Sequence, residues 1–489
     1  MPIACSPYFL CPFCFRSFIF WVFRGFWRRW ACFDAALVRG LVEVVGGDWV
    51  LVGEGVSSYL YDETPVPVRP MASGDVVVVK PGSALEVSKI ILLANEFRVP
   101  VFPRGGGTGL VGGCIPTRSG IVVSLERMNR ISIDRDNLFA EAEAGATLGD
   151  LIRAAESAGL FFPPHPGDEG AQIGGLIACN AGGVRAVKTG VMRNYVRGLE
   201  VVLPTGEIIT LGGKIMKNNT GYDLMQLIIG SEGTLGIITK AWIRLAPRPA
   251  ASATIIIPFD ERRRAFELVP RIFQAGILPL AIEYFEKSVM NLAAAEIGER
   301  WPCDGGEYQL MIILAEQSEE ALLKACEILL GLCERAGSRE PMLAESRREQ
   351  DLILRIRSEL YPVLKRSMYD TLDVSLPPAS MAGFLDELDK IAGRHDVELP
   401  AIGHAGDGNL HIWINVREGW RPEDYERIKE EVYDKVVEFG GVITGEHGIG
   451  YVKRRDLQRY ADPKVLELMR AIKRIFDPNN ILNPDKIFL

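Results

Sequence analysis

Apolar residues in the first half of the chain follow patterns that predict short buried strands and an amphipathic helix. The run Val76–Val79 is short and uniformly apolar, which is typical of a strand buried on both faces. From Val87 to Ala94, apolar residues recur at helical spacing. Further strands are predicted over residues 99–102 and 121–125, and the segment between them is rich in glycine. This half is therefore expected to be built around a glycine-rich loop.

The pattern changes after residue 247, where strands begin to alternate with long amphipathic helices. These strands are predicted over residues 253–257, 281–285 and 309–314. The alternation predicts an antiparallel sheet with helices on one face, an α+β arrangement. At about 100–200 residues per domain, a chain of 489 residues is expected to contain more than one domain. We therefore predict one domain over residues 34–247 and a second over residues 248–489.

The composition is that of an ordinary globular protein. Hydrophobic residues make up 48% of the chain and charged residues 24%, which argues against a disordered or fibrous protein. The 63 acidic residues outnumber the 55 basic ones, and the net charge of −8 makes nucleic acid a poor candidate partner. The nine cysteines show no paired framework, and the lone Cys11-x-x-Cys14 motif lacks the strand-then-helix setting of a redox site. Reduced thiols and a cytoplasmic location are therefore expected.

Residues 1–33 differ from the rest of the chain. They contain no acidic residue, and their many aromatic side chains are interrupted by arginines. The uncharged stretch from Ser17 to Phe23 is far shorter than the roughly 20 residues that span a bilayer. Two alternatives remain: a basic aromatic segment that lies peripherally on the inner face of a membrane, or sequence outside the folded protein, as from a mis-assigned start. We favour the second, because ordinary globular patterning begins near Asp34.

A glycine-rich loop, Arg104-Gly105-Gly106-Gly107-Thr108-Gly109, follows the second predicted strand. The segment Gly107-x-Gly109-x-x-Gly112 formally matches the dinucleotide fingerprint, but that motif requires a helix directly after the glycines. Here Pro116 and Gly120 lead into another strand, so we reject a Rossmann-type NAD site. Consecutive glycines let backbone N–H groups converge on an anion, and the alternative is a loop that is only a tight turn.

Further glycine segments favour a ligand that is threaded past several loops. They are, in order, Gly174-Gly175, Asn180-Ala181-Gly182-Gly183, Gly221-Tyr222-Asp223-Leu224 and Gly230-Ser231-Glu232-Gly233-Thr234-Leu235-Gly236. With the first loop, this ordered set resembles the FAD-binding domain of the vanillyl-alcohol oxidase/p-cresol methylhydroxylase superfamily, and the resemblance extends over residues 34–489. It implies a two-part FAD-binding domain, an α+β cap domain with an antiparallel sheet, and a C-terminal tail that returns to the flavin.

The resemblance also implies which residues hold the cofactor. The pyrophosphate of FAD is expected on residues 104–109, and the isoalloxazine ring is expected to reach the second domain. Relatives that attach FAD covalently often use a His in the first glycine loop; Thr108 stands near that place, so non-covalent FAD is expected. The expected cofactor-binding residues are Arg104, Gly105, Gly106, Gly107, Thr108, Gly109, Pro166, Gly174, Gly175, Asn180, Gly182, Gly183, Glu232, Gly233, Ile237 and Asn483.

Histidines and a carboxylate in the last quarter of the chain indicate a metal site. An Asp407-Gly408 turn would place His404 opposite His411 on a hairpin, with Cβ atoms about 5 Å apart. Such a pair suits either two ligands of one metal ion or two histidines with structural hydrogen bonds. The segment Glu446-His447 adds a carboxylate and a third imidazole, and two His with one Glu leave coordination positions open for catalysis. We assign His404, His411 and Glu446 as ligands and His447 as general base, with Zn²⁺ favoured over Mn²⁺ or Fe²⁺.

The same motifs resemble one branch of the superfamily, the FAD-dependent D-2-hydroxyacid dehydrogenases, which includes D-lactate dehydrogenases, the glycolate oxidase flavin subunit and D-2-hydroxyglutarate dehydrogenase. This resemblance implies oxidation of a D-2-hydroxyacid, with His447 accepting the hydroxyl proton. It also implies an arginine that binds the substrate carboxylate; Arg355 matches best, and Arg357 is its neighbour. Thr371 and Trp413 stand where hydroxyglutarate enzymes are expected to have a Lys and an Asn, so D-lactate or glycolate is the favoured substrate.

Several interpretations of function remain open at this point. The favoured one is an FAD enzyme that passes electrons to a quinone, a cytochrome, an iron–sulfur subunit or oxygen, since the sequence has no cysteine cluster with iron–sulfur spacing. The alternatives are D-2-hydroxyglutarate dehydrogenase, an alkyl-glycerone-phosphate synthase-like flavoenzyme, and a flavin subunit that only relays electrons. The sequence leaves the oligomeric state open, with a homodimer among the alternatives.

Overall fold

The computed structural model describes residues 34–344, 346–415 and 419–489. The segment expected to stand outside the fold, residues 1–33, lies outside these described residues, and that expectation stays a prediction. Within the described ranges, no helix is both long enough and apolar enough to cross a membrane. Two groups of sheets and helices follow each other along the chain, and their buried side chains form separate cores.

The first part of the chain is built on a four-stranded sheet and a five-stranded sheet. Its strands are β1 (Val50–Leu51), β2 (Val76–Val79), β3 (Val101–Arg104), β4 (Gly120–Ser124), β5 (Ile131–Asp134), β6 (Phe139–Glu143), β7 (Leu160–Phe161), β8 (Val196–Val202), β9 (Ile208–Gly212), β10 (Ile237–Arg244) and β11 (Ala246–Pro247). The smaller sheet has the order β1-β2-β4-β3, with β2, β4 and β3 parallel. The larger sheet has the order β5-β6-β10-β8-β9 and is antiparallel, and β7 pairs with β11.

Helices cover these sheets. They are α1 (Ala35–Val45), α2 (Ala84–Phe97), α3 (Leu148–Ser157), α4 (Ile173–Ala178), α5 (Ala186–Thr189), α6 (Met192–Tyr195) and α7 (Met225–Ile228), with 3-10 turns at Gly47–Trp49 and Gly53–Tyr59. The predicted helix α2 begins after Ser83, whose hydroxyl oxygen accepts a hydrogen bond from the N–H of Glu86 at 3.2 Å. Residues 105–119, all of which are described, contain no helix between β3 and β4, as the rejection of a Rossmann-type site requires.

The second part of the chain contains a seven-stranded sheet. Its strands are β12 (Ala251–Phe259), β13 (Ala281–Glu286), β14 (Tyr308–Glu316), β15 (Met342–Ala344), β16 (Met368–Ser375), β17 (Ala401–His404) and β18 (Asn409–Asn415). The order is β15-β12-β14-β13-β17-β18-β16, and neighbouring strands are antiparallel. The predicted antiparallel sheet of the second part is therefore confirmed.

Helices lie on both faces of this sheet, so the predicted one-sided arrangement is wrong. They are α8 (Arg262–Gln274), α9 (Lys287–Glu296), α10 (Glu319–Ala336), α11 (Arg347–Ser358), α12 (Leu360–Leu364), α13 (Met381–His395), α14 (Pro422–Glu438), α15 (Arg454–Tyr460) and α16 (Pro463–Phe476), with a 3-10 turn at Pro378–Ser380. Ile255 and Ile257 of β12 share a core with α8, α10, α13 and α14, whereas Ile256 shares a core with α9, α11 and α12. Successive side chains of β12 are buried, and a strand that is apolar on both faces needs cover on both.

The C-terminal tail returns to the first part of the molecule, the part in which the flavin is predicted to bind. Leu482 pairs with Val101 of β3, and the N–H of Asn483 donates to the carbonyl of Val101 at 2.7 Å. Ile481 and Leu482 are buried in the core of the first part. The tail therefore joins the sheet whose strand β3 leads into the first glycine loop.

Candidate active site

His404 and His411 lie on adjacent strands, but the predicted pairing of one with the other is wrong by two residues. In the observed register His404 is opposite Asn409, and His411 is opposite Ile402. A wider turn over residues 405–408 replaces the predicted two-residue turn, because hydrogen bonds to neighbouring segments of the sheet stabilise the wider turn. The N–H of residue 406 donates to a carbonyl of β13 at 3.1 Å, and the carbonyl of residue 408 accepts from the N–H of residue 376 at 2.9 Å. A shift of two residues keeps both imidazoles on one face, and their ring centroids are 5.5 Å apart.

His404, His411 and Glu446 present three ligand atoms to one point. Oε1 of Glu446 lies 3.7 Å from Nε2 of His404 and 3.4 Å from Nε2 of His411. These distances exceed those of ordinary hydrogen bonds, which are about 2.7–3.2 Å. Ligand atoms held at about 2.1 Å from one tetrahedral ion lie about 3.4 Å apart, so the observed spacing fits a shared metal ion. We therefore keep these three residues as the proposed ligand set.

Glu283 of β13 supports the first of these histidines. It is the cross-strand partner of His404, and its Oε1 lies 2.6 Å from Nδ1 of that imidazole. A carboxylate on the outer nitrogen fixes the ring so that Nε2 faces the other ligands, as around many metal-binding histidines. Burial by itself would lower the pKa of His404, but the carboxylates of Glu283 and Glu446 raise it well above its usual range. The pocket therefore stabilises positive charge at this point, as a site for a divalent cation must.

His447 lies beside the ligand cluster and is suited to accept a proton. Its ring stacks on that of His411, with centroids 5.1 Å apart and planes inclined by 10°. Its Nε2 lies 4.0 Å from Oε1 of Glu446, and its buried Nδ1 has no hydrogen-bond partner among the described residues. Burial lowers the pKa of His447 to about 4, so the imidazole is neutral near pH 7. A neutral imidazole is the form that a general base requires.

Asp373 of β16 fixes the segment that carries Glu446 and His447, a role that sequence analysis missed. Its Oδ2 accepts hydrogen bonds from the N–H groups of Gly445, Glu446 and His447 at 2.9, 2.9 and 2.8 Å. Its Oδ1 accepts from Nδ2 of Asn409 at 2.7 Å. The one feature that could have indicated this role is the position of Asp373 on β16, where it is the cross-strand partner of the predicted ligand His411 on β18. That relation becomes visible only when the order of the strands is known.

The carboxylate of Asp373 is fully buried and charged. Burial would raise its pKa, but electrostatic interactions with the neighbouring basic side chains, first His447 and then Lys453, hold the pKa below its usual range. Asp373, His411 and His447 also place one ligand atom each within 4.8 Å of one another. Both oxygens of Asp373 already accept hydrogen bonds, however, so this carboxylate is better suited to position the segment than to bind a metal.

The structure does not bring Arg355 to the cluster. Its guanidinium pairs with Glu299 at 2.8 Å on the surface, where the side chain is 59% exposed. Arg357, two residues further along α11, donates from Nε and Nη2 to Oε2 of Glu283 at 3.1 and 2.7 Å. Positions two apart on a helix point in nearly opposite directions, so only one of the two arginines can face the sheet. The geometry favours Arg357, the neighbour named in the sequence analysis.

The predicted cofactor loops lie close to one another, and one of them approaches the ligand cluster. A Cβ atom added at Gly105 would lie 3.6 Å from the Cα of Gly175. A Cβ atom added at Gly182 would lie 3.1 Å from Oε2 of Glu446. Contacts this close favour glycine at these positions, and consecutive glycines let backbone N–H groups converge on an anion such as the pyrophosphate of FAD.

Some of the predicted cofactor residues use their side chains inside the protein. Arg104 is buried, and its guanidinium lies 3.3 Å from Sγ of Cys114. Oδ1 of Asn180 accepts a hydrogen bond from the N–H of Arg193 at 3.0 Å. The side chain of Ile237 is buried in the core of the first part. At Ile237 the backbone is therefore the part that we expect to face a cofactor.

Comparisons with known structures identify the fold. The fold resembles that of 4-ethylphenol oxidase from Gulosibacter chungangensis, with a TM-score of 0.73, 20% identity, and coverage of 93% of this chain and 97% of that chain. It also resembles alkyldihydroxyacetonephosphate synthase, with a TM-score of 0.72, 18% identity, and coverage of 92% and 86%. At these identities the likeness shows the fold alone. That fold is the mixed α and β fold of the vanillyl-alcohol oxidase/p-cresol methylhydroxylase flavoproteins.

Family models and curated relatives narrow the class. The chain matches the model "FAD binding domain" over residues 76–212 and the model "FAD linked oxidases, C-terminal domain" over residues 248–487. The D-lactate dehydrogenase of Archaeoglobus fulgidus is 44% identical over 430 residues, which cover 88% of this chain and 95% of that relative. The D-lactate dehydrogenase of Anaerostipes hadrus is 37% identical, covering 90% and 94%, and the glycolate oxidase subunit GlcD of Bacillus subtilis is 36% identical, covering 88% and 92%.

This chain therefore belongs to the FAD-linked oxidase family. The predicted superfamily, the predicted fold class and FAD as cofactor are confirmed by these matches, and the protein is an FAD-linked oxidoreductase.

Proposed function

We propose that this protein oxidises a small D-2-hydroxyacid, D-lactate or glycolate, to the 2-oxoacid, with FAD as hydride acceptor. The observation that carries the proposal is that the proposed ligands His404, His411 and Glu446, with His447 beside them, lie next to a glycine segment of the FAD-binding part. The similarity to D-lactate dehydrogenases and to a glycolate oxidase subunit supports the same substrate class. A flavin subunit that only relays electrons would not need a buried base beside a ligand cluster.

His447 would take the proton of the substrate hydroxyl at Nε2, the nitrogen that faces Glu446. The neutral imidazole is held in place by stacking on His411 and by the backbone hydrogen bond to Asp373. FAD, when bound, supplies the acceptor for the hydride that leaves the substrate carbon. His404, His411 and Glu446 would hold a divalent metal, with Zn²⁺ favoured, which supplies Lewis acidity that lowers the pKa of the hydroxyl.

Arg357 is the arginine that we propose for the substrate carboxylate. Its Nε and Nη2 are committed to Glu283, while Nη1 makes no hydrogen bond among the described residues. The side chain of Arg357 is a quarter exposed, at 26%, and its guanidinium lies next to a carboxylate that orients His404. Arg357 would therefore help to orient the proposed metal ligand His404 through Glu283. Its remaining N–H groups would be available to the carboxylate of the substrate.

Thr371 and Trp413 support a substrate without a distal carboxylate. They are cross-strand partners on β16 and β18, and both are buried, at 4% and 3% exposure. The indole of Trp413 lies 6.2 Å from the ring of His411, measured between centroids. The distal carboxylate of a substrate such as D-2-hydroxyglutarate would lose its hydration beside these two neutral side chains. Neither side chain carries a positive charge that could offset this cost. This corner therefore favours D-lactate or glycolate over D-2-hydroxyglutarate.

The electrons taken up by the flavin must leave to a separate acceptor. The described cysteines, at positions 114, 179, 303, 326 and 333, form no cluster that could hold iron and sulfur among the residues that the structure describes. We propose a quinone, a cytochrome or an iron–sulfur subunit as that acceptor. One relative is named as a glycolate oxidase subunit, which supports an acceptor carried by a separate subunit.

Anaerobic stopped-flow reduction of the purified holoprotein tests the proposal. D-lactate or glycolate should bleach the flavin fastest, D-2-hydroxyglutarate should be slower by at least tenfold, the loss of about 1.4 kcal/mol, and L-lactate should be inactive. A flavin reduced fastest by D-2-hydroxyglutarate would support the alternative dehydrogenase. A flavin reduced by none of these acids would exclude the proposed substrate class.

A further inference from the structure

Glu232 belongs to the glycine segment 230–236 of the first part, yet its carboxylate binds the second part. Oε1 accepts a hydrogen bond from the N–H of Ile449 at 2.8 Å, and Oε2 accepts from the N–H of Gly450 at 2.6 Å. These two residues lie two and three positions after His447. A carboxylate from the flavin-binding part therefore holds the backbone that carries the proposed general base.

Residues 444–450, which we call the base loop, are held by two carboxylates, one from each part of the molecule. Asp373 accepts from the N–H groups of residues 445–447, and the Thr444 hydroxyl oxygen accepts from the N–H of Gly448 at 3.1 Å. The loop passes so close to Glu232 that a Cβ atom at Gly448 would lie 2.8 Å from Oε1. Gly448 also has a φ of +83°, which favours glycine. The loop and Glu232 are therefore closely fitted to each other.

The backbone of Glu232 is fixed by segments that include or adjoin the predicted FAD-binding residues. Its N–H donates to the carbonyl of Ala178, at the end of α4, at 2.8 Å, and its carbonyl accepts from Nδ2 of Asn483 at 2.9 Å. A Cβ atom at Gly233 would lie 3.4 Å from Cγ of Pro103, which directly precedes the first glycine loop. Glu232 itself has a φ of +51°, which is uncommon for a residue other than glycine and is sustained by these contacts.

From this geometry we propose that Glu232 is a positioning residue that couples FAD binding to the conformation of the base loop. FAD orders the glycine segments on which the backbone of Glu232 rests. Because the carboxylate of Glu232 holds the base loop, that order is transmitted to Glu446 and His447. The coupling is reciprocal: whatever orders the base loop strengthens FAD binding by the same factor. The proposal rests on the proposed function only for the roles of Glu446 and His447.

A purely structural bond between the two parts makes a different prediction. Such a bond would slow the opening of the base loop equally with and without FAD. Coupling requires that the effect of FAD on the base loop depend on Glu232. The measurement must therefore compare the loop with and without FAD, in protein with and without the carboxylate.

Hydrogen–deuterium exchange of the full chain, with no substrate and no added metal, makes this comparison. In the wild type, adding FAD should slow exchange in a peptide that covers residues 444–450 by at least about 5-fold, the lower end of typical couplings. In Glu232→Gln most of that slowing should be lost, because the amide group turns a donor toward one of the two N–H groups. Slowing in peptides that cover residues 104–109 and 174–183 should persist in the variant.

Two further variants make the result decisive. Glu143→Gln removes a buried carboxylate of β6 whose hydrogen bonds are made with Arg130, and this control should keep the wild-type slowing of the base loop. Gly448→Ala, which forces the base loop away from Glu232, should lose that slowing, and it serves as the test if Glu232→Gln does not fold.

An equal effect of FAD on the base loop in wild type and in Glu232→Gln would overturn the proposal, and so would a wild-type base loop that does not respond to FAD. The readout uses neither turnover nor metal. The exchange result therefore decides the coupling independently of the substrate. The coupling would stand on a positive exchange result even if D-lactate proved not to be a substrate, and a negative exchange result would exclude it even if D-lactate oxidation were established.

Discussion

The predicted flavin loops and the ligand cluster are built by different means. The flavin loops are glycine segments whose backbones approach one another closely and leave little room for side chains. The cluster is formed by side chains from β17, β18 and the base loop, which are oriented by carboxylates from β13 and β16. A site made of backbone survives most single substitutions elsewhere, whereas a site made of side chains depends on each of them. Single substitutions in the cluster should therefore remove metal or proton transfer without removing FAD.

The largest expected effect comes from the ligand histidines. His404→Ala or His411→Ala removes one of three proposed ligands and should abolish both metal binding and substrate oxidation, while the FAD content stays at the wild-type level. Elemental analysis and flavin absorbance of the purified variants measure the two separately. His395→Ala is the matched control, because that histidine lies on α13 and pairs with Glu431. Full metal content in the two ligand variants would contradict the proposed ligand set.

The next effect separates the base from the ligands. His447→Ala should retain FAD, metal and substrate binding, yet flavin reduction by D-lactate should slow by about 10²–10⁴-fold, the usual contribution of a positioned base. Stopped-flow rates at saturating substrate measure this step. A variant that loses its metal, or one that reduces the flavin at the wild-type rate, would show that His447 has a different role.

A smaller effect is expected from Asp373, which acts through the base loop. Asp373→Asn replaces one carboxylate oxygen by an NH₂ group, which cannot accept the hydrogen bonds from the N–H groups of residues 445–447. Metal affinity should therefore fall by about 10–100-fold, as for other groups that orient metal ligands. Asp370→Asn is the control: this buried carboxylate lies on the same strand and accepts from the hydroxyl of Tyr425 at 2.7 Å. Metal titrations of both variants measure this difference in affinity. Equal losses in the two would point to a general effect of removing a buried charge.

The smallest effect concerns the choice of substrate. The double substitution Thr371→Lys, Trp413→Asn introduces a cation and an amide in the corner beside His411. A charge-assisted hydrogen bond contributes about 1.5–3 kcal/mol, so kcat/KM for D-2-hydroxyglutarate relative to D-lactate should rise by roughly 10-fold to 100-fold. Steady-state assays with an artificial electron acceptor measure this ratio. An unchanged ratio would mean that this corner does not face the substrate.

The same contrast explains how much could be predicted from the sequence. The glycine segments were recognisable because close backbone approach requires glycine at fixed positions, and the structure brings Gly105 close to Gly175. The register of β17 and β18 was mispredicted, because the local preference of Asp407-Gly408 for a tight turn is overridden by hydrogen bonds to neighbouring strands. Such bonds depend on the order of the strands, which a local pattern does not contain.

Two further differences have the same origin. Asp373 holds residues that follow it by more than 70 positions, so its role depends on β16 lying beside β18. The assignment of Arg355 depended on position along the chain, whereas the phase of α11 turns Arg357 toward the sheet. Helical periodicity predicted α2 but did not assign the orientation of these two arginines.

The most direct test of the whole account follows the flavin absorbance of the holoprotein during anaerobic mixing with D-lactate, before chelation, after chelation, and after Zn²⁺ or Mn²⁺ is returned. We predict about one divalent metal per chain, rapid bleaching of the untreated protein, no bleaching after chelation although FAD remains bound, and recovery when metal is returned. Protein that carries no stoichiometric metal, and whose flavin is bleached by D-lactate at the same rate with or without chelator, would contradict the account. His404, His411 and Glu446 would then contact the substrate directly.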